Sequence, residues 1–407
     1  MERAELARLI GGKSAAQGAG RILASEPNPQ KFMTAVARAL AGDAEVFLSN
    51  PDWGALERSQ CDALFSPGFV SPKLRRSEGG YLMIPTGGSS GKLRFARHDA
   101  DTLVAAVRGF TRHFGLPQVN AVGVLPLYHV SGFMAWMRCV LTGGEYRPLD
   151  WKEIEGGVLP TLPAKAEGWT VSLVPTQLER LMRQERAAAW LQGFRIIFLG
   201  GAPAWPALLD RAMALRLPLS PGYGMTETAA MIAALRPAEF LAGVRSSGTI
   251  LPHAQVGFDE EGGIVVGGAS LFRGYYPAWR EEEIFATQDG GWLDERGHLH
   301  VTGRRDSVII SGGEKVNPVE VEAALRGTGE FADVVVLGVP DAEWGQSVVA
   351  AYAAGKQPNQ SRVDAALAKL LSPAKRPKRW VAIPDWPVNA QGKVNRAEVA
   401  KRLAAQL

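Results

Sequence analysis

The stretch YLMIPTGGSSGK, residues 81–92, joins a short apolar run to three glycines, three hydroxyl side chains and a lysine. An apolar run of that length, closed by turn residues, predicts a buried strand that delivers its loop to one edge of a sheet. With no side chain at Gly87, Gly88 or Gly91, successive backbone N–H groups can turn toward one anion. The hydroxyls of Thr86, Ser89 and Ser90 add donors, and Lys92 or Arg94 adds charge. The loop therefore predicts a phosphate cradle. No Ser or Thr follows Lys92, so the spacing is not the Walker pattern. A plain flexible turn is the competing reading.

Working outward, AVGVLPL (121–127), TVSLVP (170–175) and FRIIFLGG (194–201) repeat the same form, a buried strand ending at a loop. Helical segments such as 99–114 and 175–184 lie between them. That alternation predicts an α/β domain with largely parallel strands and binding loops at their carboxyl ends. The opening stretch to about Ser77 reads as helices, with 31–40 the clearest, broken by Pro27, Pro29, Pro51, Pro67 and Pro72. After about Arg236, GGIVVGG (262–268) and GWLDERGHLHVTGRRD (291–306) predict a small β subdomain with a hairpin at Asp294 to Gly297. Beyond Asp306, strand SVIIS, helix 318–325, strand DVVVLGVP and a strand near SVVAAYAA predict a compact α+β domain. The expected division is 1–305 and 306–407.

The 407 residues are 46% hydrophobic and 21% charged, the composition of a globular protein with room for two or three cores. A net charge of +4 is too small an excess to suggest a nucleic-acid partner, and the basic run AKRPKR (374–379) reads as a solvated connection. Cys61 and Cys139 lack the spacing of a zinc site or redox dithiol and read as buried thiols. The N-terminus has no signal-peptide core, and no apolar run reaches the roughly 18–20 residues of a membrane span, so a soluble cytoplasmic protein is expected. No internal repeat is present.

Two further motifs carry chemistry. In GYGMTET (222–228), Tyr223 between Gly222 and Gly224 can stack on a purine, and Thr226 with Glu227 can reach a phosphate and a magnesium ion through hard oxygens. The alternative is a helix start with Thr226 as its cap. Asp289, after FATQ, can accept both hydroxyls of a ribose, and Arg304 of GRRD can support it; taken singly, Asp289 also reads as a turn residue and Lys393 as a surface lysine.

The ordered set TGGSSGK, PLYHVSG, GGAP, GYGMTET, FATQD, GRRDSVIISGGEKVNPVEVE and GKVNR resembles the adenylate-forming acyl-CoA synthetase and ligase superfamily from about Tyr81 to Arg396. The resemblance implies ATP, Mg2+ and coenzyme A, with a carboxylic acid first adenylated and then passed to the thiol. It implies that residues 86–92 hold the β- and γ-phosphates, that Thr226 and Glu227 manage the metal and α-phosphate, and that Tyr223, Gly224, Gly200, Gly201 and Ala202 bracket adenine. Asp289 and Arg304 would hold the ribose. Lys393 would neutralise charge during adenylation. Asp306 would be the hinge of a small mobile C-terminal domain, which brings the loop of Ser311, Gly312 and Gly313 inward for the second half-reaction. Gly87, Tyr223 and Asp289 are then expected to border one cavity.

This chain departs from the family pattern at Leu93, Arg94 and Phe95, where Pro-Lys-Gly is usual, at Gln288, where glycine is usual, and at Ser311, where lysine is frequent. The region ahead of the phosphate loop is also shorter than usual.

For the acid, no aspartate near PLYHVSG provides for an α-ammonium. His129 and Ser131 instead offer a polar edge beside an expected apolar wall of Phe133, Met134 and Trp136. SLVPTQLERL, PLYHVSG and SGGEKVNPVEVE are similar to the branch of the superfamily that serves menaquinone and phylloquinone biosynthesis, whose acid is a dicarboxylate bearing a benzene ring. Its second carboxylate needs a partner, for which Arg138, Thr176 and Gln177 are candidates; a surface helix position is the competing reading of Arg138. The alternatives are another aryl or medium-chain acyl-CoA synthetase, an adenylation enzyme loading a carrier-protein thiol, and a silent nucleotide-binding relative. No nucleic acid or stable membrane insertion is expected, and a homodimer is left open.

Overall fold

The computed structural model describes residues 20–26, 28–40, 44–51, 53–65, 80–87, 93–161, 168–355, 357–388 and 394–406. Lys393, with Gly88, Ser89, Ser90, Gly91 and Lys92 of the phosphate loop, lies outside them.

The first sheet takes β1 (Gly20–Ala24), β2 (Ala44–Leu48), β3 (Tyr81–Gly87) and β4 (Leu93–His98) in sequence order. Strands β1 to β3 are parallel and β4 returns antiparallel. Helices α1 (Pro29–Leu40) and α2 (Ala55–Phe65) connect them. The expected helix at 31–40 is present, but the all-helical reading of the opening stretch is corrected by β1 and β2. The run AEVFL is buried at all five positions, and so short an apolar run carries no periodicity to separate strand from helix.

Next come α3 (Ala100–Phe114), β5 (Asn120–Gly123), α4 (Val130–Thr142), β6 (Tyr146–Pro148), β7 (Trp169–Leu173), α5 (Pro175–Met182), β8 (Ile196–Leu199), β9 (Leu219–Met225), β10 (Ala230–Ala234) and β11 (Thr249–Ile250). The sheet order is β11-β10-β9-β8-β7-β5-β6, parallel from β6 through β9 and antiparallel beyond. Helix α3 starts where Asp99 accepts the Thr102 N–H at 2.9 Å and stops at Gly115, whose φ of 62° suits only a residue free of Cβ strain. Helix α4 starts within PLYHVSG, with His129 as its N-cap, and Gly132 is required there because a Cβ would lie 2.3 Å from the Pro126 carbonyl oxygen.

The β subdomain is the antiparallel sheet β12 (Ala254–Phe258), β13 (Gly263–Gly268), β14 (Ile284–Leu293) and β15 (Leu299–Arg304), with the expected hairpin between the last two. The final lobe holds β16 (Ile309–Ser311), β17 (Glu314–Val316), α6 (Pro318–Gly327), β18 (Val334–Asp341), β19 (Gly345–Ala353), β20 (Arg379–Ile383) and α7 (Arg396–Ala404) around its own core of Val321, Leu325, Val334, Val348 and Val363. A single 3-10 turn at Arg305–Ser307 leads into it. Across that turn Asn317 Nδ2 donates to the Thr302 carbonyl at 2.6 Å, and the Arg326 guanidinium lies 5.2 Å from the Trp205 ring centre. Cys61 and Cys139 are buried thiols, pushed up by burial to about 11 and about 12. Of the AKRPKR run, Lys375 pairs with Glu320 at 2.8 Å and Lys378 sits over the Trp344 ring. Among the described residues no helix is long and apolar enough to cross a membrane.

Candidate active site

The carboxyl ends of the parallel strands open into a cavity of about 710 Å³, a size that suits a nucleotide-sized ligand. Its wall draws on every motif identified above up to Asp306: Thr86 from β3, His129 and Ser131 at the start of α4, Gly200 and Gly201 after β8, Tyr223 to Glu227, Asp289 with Arg304 on β14 and β15, and Asp306. Of the three residues expected to border one cavity, Tyr223 and Asp289 do so, together with Thr86, the residue before Gly87.

Strands β14 and β15 set Asp289 opposite Arg304. The Tyr223 hydroxyl donates to Asp289 Oδ2 at 2.7 Å, and burial pushes the phenol well above its ordinary value. Arg304 is engaged by Asp306, Nε to Oδ1 at 2.9 Å, and that hydrogen bond raises the guanidinium further. In this arrangement the expected hinge aspartate and the expected ribose arginine hold each other.

Thr226–Thr228 is one turn of 3-10 helix capped by Met225, not an α-helix capped by Thr226; the Thr228 hydroxyl accepts the Met225 N–H at 3.1 Å. Ala229 and Ala230 follow with φ of 51° and 79°, left-handed values that cost a residue with a Cβ about 1 kcal/mol or more and persist only where surroundings enforce them. The fully buried His98 supplies part of that enforcement. Its Nε2 lies 2.8 Å from the Thr226 carbonyl oxygen and its Nδ1 faces the Thr102 hydroxyl at 3.1 Å. Because a carbonyl only accepts, Nε2 carries the hydrogen. Burial pulls this imidazole down to about 4, so the neutral ring is the one that holds the turn.

His113 and His253 are likewise pulled to about 4 by burial. A histidine in the unfolded chain titrates near 6.5, so between those values the unfolded chain binds more protons than the folded one. This contribution to stability is complete above about pH 6.5 and is lost as pH falls toward 4. The unfolding temperature is expected to drop between pH 7 and pH 5; a flat profile there would contradict the neutral burial of these rings.

Several expectations are corrected. Phe133, Met134 and Trp136 do not wall the cavity: they point from α4 into the core between the first sheet and α3. Arg138 is no surface residue. It is 5% exposed and borders the cavity, its guanidinium 4.0 Å above the Phe110 ring and its Nε without a partner. Burial lowers it to about 10, still cationic at neutral pH, and no carboxylate pairs with it among the described residues. Gln177 is buried as the reciprocal cap of α5, accepting the Val174 N–H at 3.1 Å. Ala202 and Thr176 line a separate crevice of about 120 Å³ between the lobes, together with Val394 and Arg396. Ser311, Gly312 and Gly313 form the turn between β16 and β17, where Gly312 packs against Trp344, and they do not line the cavity.

Sequence reasoning missed Tyr275, whose hydroxyl donates to Glu227 Oε1 at 2.5 Å, and His98. The only local sign of Tyr275 was Gly274 before it, with φ of 121°.

The end of β3, Asp289 and the buried carboxylate of Glu227 meet around one cleft at the carboxyl ends of the parallel strands, the usual place of a ligand site in an α/β enzyme. The AMP-binding enzyme model matches residues 21–276, and the AMP-binding enzyme C-terminal domain matches residues 320–393. The chain belongs to the AMP-binding enzyme family. It is 33% identical over 290 residues to the 2-succinylbenzoate--CoA ligase of Oceanobacillus iheyensis, covering 68% of this chain and 60% of that protein. It is 29% identical to the ligase of the same name from Enterococcus faecalis, covering 77% and 67%. The chain thus spans about 60% of the first of these relatives. In fold it is similar to o-succinylbenzoate CoA synthetase (MenE) from Bacillus subtilis in complex with the acyl-adenylate intermediate OSB-AMP. That match has a TM-score of 0.79 at 22% identity over 98% of this chain and 91% of the other. ATP-bound MatB from Rhodopseudomonas palustris gives 0.76 at 21% identity over 99% and 92%.

Proposed function

We propose that the protein is an ATP-dependent acid:CoA ligase whose acid is 2-succinylbenzoate, as in menaquinone and phylloquinone biosynthesis. The observation that carries the choice of acid is Arg138, a cation buried in the cavity wall with no carboxylate partner among the described residues. An arginine so placed costs several kcal/mol unless an anion arrives to pair with it. A dicarboxylate supplies that anion while its other carboxylate reacts.

In the first half-reaction a carboxylate oxygen of the acid attacks the α-phosphorus of ATP and the bond to the bridging oxygen of pyrophosphate breaks, giving acyl adenylate. In the second, the thiolate of coenzyme A attacks the acyl carbonyl carbon and AMP leaves. Such in-line substitution needs positioning and charge stabilisation more than a protein nucleophile. Thr86, the loop of Gly87, Gly88, Ser89, Ser90, Gly91 and Lys92, and Arg94 take the β- and γ-phosphates. Tyr223, Gly224, Gly200 and Gly201 bracket adenine, and Asp289 with Arg304 takes the ribose. His129 and Ser131 edge the acid, and Lys393 serves the charge that grows between attacking and bridging oxygens.

Glu227 and Thr226 are the metal-side residues, and their hard oxygens suit magnesium. Glu227 is 6% exposed, and its Oε2 has no partner among the described residues. Among the described residues no group of three or more His, Cys, Asp or Glu could hold a metal ion, so Glu227 and Thr226 would hold magnesium only together with the nucleotide. When bound, magnesium supplies positive charge to the triphosphate.

Residues 306–407 act as a lid that turns about Asp306 and brings Ser311, Gly312 and Gly313 inward for the second half-reaction. The enzyme is placed in the cytoplasm. A homodimer is compatible with this reading.

The test is a panel of aromatic and aliphatic acids, reading pyrophosphate release with and without coenzyme A. Preference for 2-succinylbenzoate and transfer to free coenzyme A are expected. Preference for a monocarboxylic acid, or transfer only to a carrier-protein thiol, would overturn the respective half of the proposal.

A further inference from the structure

The segment Phe272 to Tyr276 belongs to none of the recognised motifs, yet it is laced to the catalytic turn on both sides. The Phe272 N–H donates to the Glu227 carbonyl at 2.8 Å. Arg273 N–H donates to the Arg97 carbonyl at 2.8 Å, Arg97 N–H to the Gly274 carbonyl at 3.0 Å, and Tyr276 N–H to the Phe95 carbonyl at 2.9 Å. The segment therefore runs as an extra edge on β4, the strand that emerges from the phosphate loop. The Arg273 side chain fixes it again, with Nε 2.8 Å from Asp99 Oδ2.

This lacing aims Tyr275 across the cavity wall at Glu227, where its hydroxyl donates to Oε1 at 2.5 Å. The other face of the problem is Arg94, whose guanidinium lies 4.2 Å from the centre of the Tyr275 ring. A cation on the ring face makes the phenol a better donor. Phe272 at 4.9 Å and Phe285 at 6.4 Å pack the ring edge-on and remove its freedom to turn.

We propose that Tyr275 is a positioning residue: with Arg94 stacked on its ring, its hydroxyl takes one oxygen of Glu227 and leaves the other directed to the magnesium side of the triphosphate site. A carboxylate free to rotate would offer both oxygens to the nearest donor, including backbone N–H groups. Held by one oxygen, it offers a single lone-pair face in a fixed direction. The arrangement also joins the two ends of the triphosphate site mechanically, since Arg94 starts at the phosphate loop and Glu227 sits at the α-phosphate end.

The inference rests on the assignment of Glu227 to the metal side of the nucleotide, and the test separates the two. In Tyr275→Phe the ring, its stacking on Arg94 and its packing remain, and only the hydroxyl is lost. Calorimetric titration of the full chain with ATP is expected to give unchanged affinity in EDTA and about tenfold weaker affinity with Mg2+, the effect of losing one hydrogen bond to a charged group. Pyrophosphate exchange should need about tenfold more Mg2+, while kcat at saturating Mg2+ stays within about threefold; the unfolding temperature falls in the absence of nucleotide, because the hydroxyl already bonds the buried carboxylate there.

Glu227→Gln is titrated alongside. If Glu227→Gln loses the Mg2+-dependent affinity and Tyr275→Phe does not, the positioning role is overturned and the role of Glu227 stands. If neither variant changes Mg2+ dependence, the assignment of Glu227 itself falls and this inference with it. Equal weakening of Tyr275→Phe with and without Mg2+ would make Tyr275 a direct nucleotide contact and overturn the proposal.

Discussion

Alanine in place of Lys393 is expected to cut acid-dependent pyrophosphate release by about a thousandfold, the scale of removing one well-placed donor to developing negative charge. Thioester formation from supplied acyl adenylate should survive within about threefold, because the mixed anhydride already carries its activation. The asymmetry follows from where charge grows. During adenylation two anions, a carboxylate and a triphosphate, must be brought together, and a primary ammonium is the compact cation for that task. Val394, the residue after Lys393, shares the inter-lobe crevice with Val174, and Val174 also borders the main cavity. Stopped-flow or radiometric assays of each half-reaction check this. Equal losses in both would contradict a lid that uses Lys393 in only one of them.

The second large effect concerns Arg138. Arg138→Leu is expected to lower kcat/KM for 2-succinylbenzoate at least about a hundredfold, since the incoming carboxylate would be buried without its partner. The same variant should lose little against 3-benzoylpropionate, which keeps the reacting chain and lacks the ring carboxylate. Stability should move the other way. The guanidinium is fully buried, rests on Phe110 at 4.0 Å and is pulled down by desolvation, so an apolar side chain of smaller volume removes an uncompensated charge. A variant that unfolds at a higher temperature while losing the dicarboxylate would show a binding cation retained at the expense of the fold. Loss of activity toward both acids alike would count against the pairing.

How far the sequence reached depended on the kind of interaction. Backbone-driven features were legible: the loop after β8 announces itself through Gly200 and Gly201, and the hairpin through Asp294 and Gly297, because each such residue answers a local geometric demand. The family resemblance then placed Tyr223, Asp289 and Glu227 around one ligand, and all three border the cavity. Side-chain direction was not legible. On α4, Phe133, Met134 and Trp136 lie between Ser131 and Arg138 in the chain, yet they pack into the core while Ser131 and Arg138 border the cavity; Met134 is one turn before Arg138 on the same face, so helical spacing alone does not separate core from cavity. The pairing of Tyr275 with Glu227 joins residues 48 positions apart through an edge strand that no periodicity marks. Strands β1 and β2 were hidden for the opposite reason, being too short to show any period at all.

One small contact bears on how the enzyme keeps time. The amide of Asn317 spans the 3-10 turn around Asp306 to reach Thr302, and Arg326 rests on Trp205 of the larger lobe. A lid turning about Asp306 must surrender both, at a net cost of about 1 kcal/mol each. In the lid motion proposed above, departure of pyrophosphate would have to outweigh these two contacts and the packing around the inter-lobe crevice.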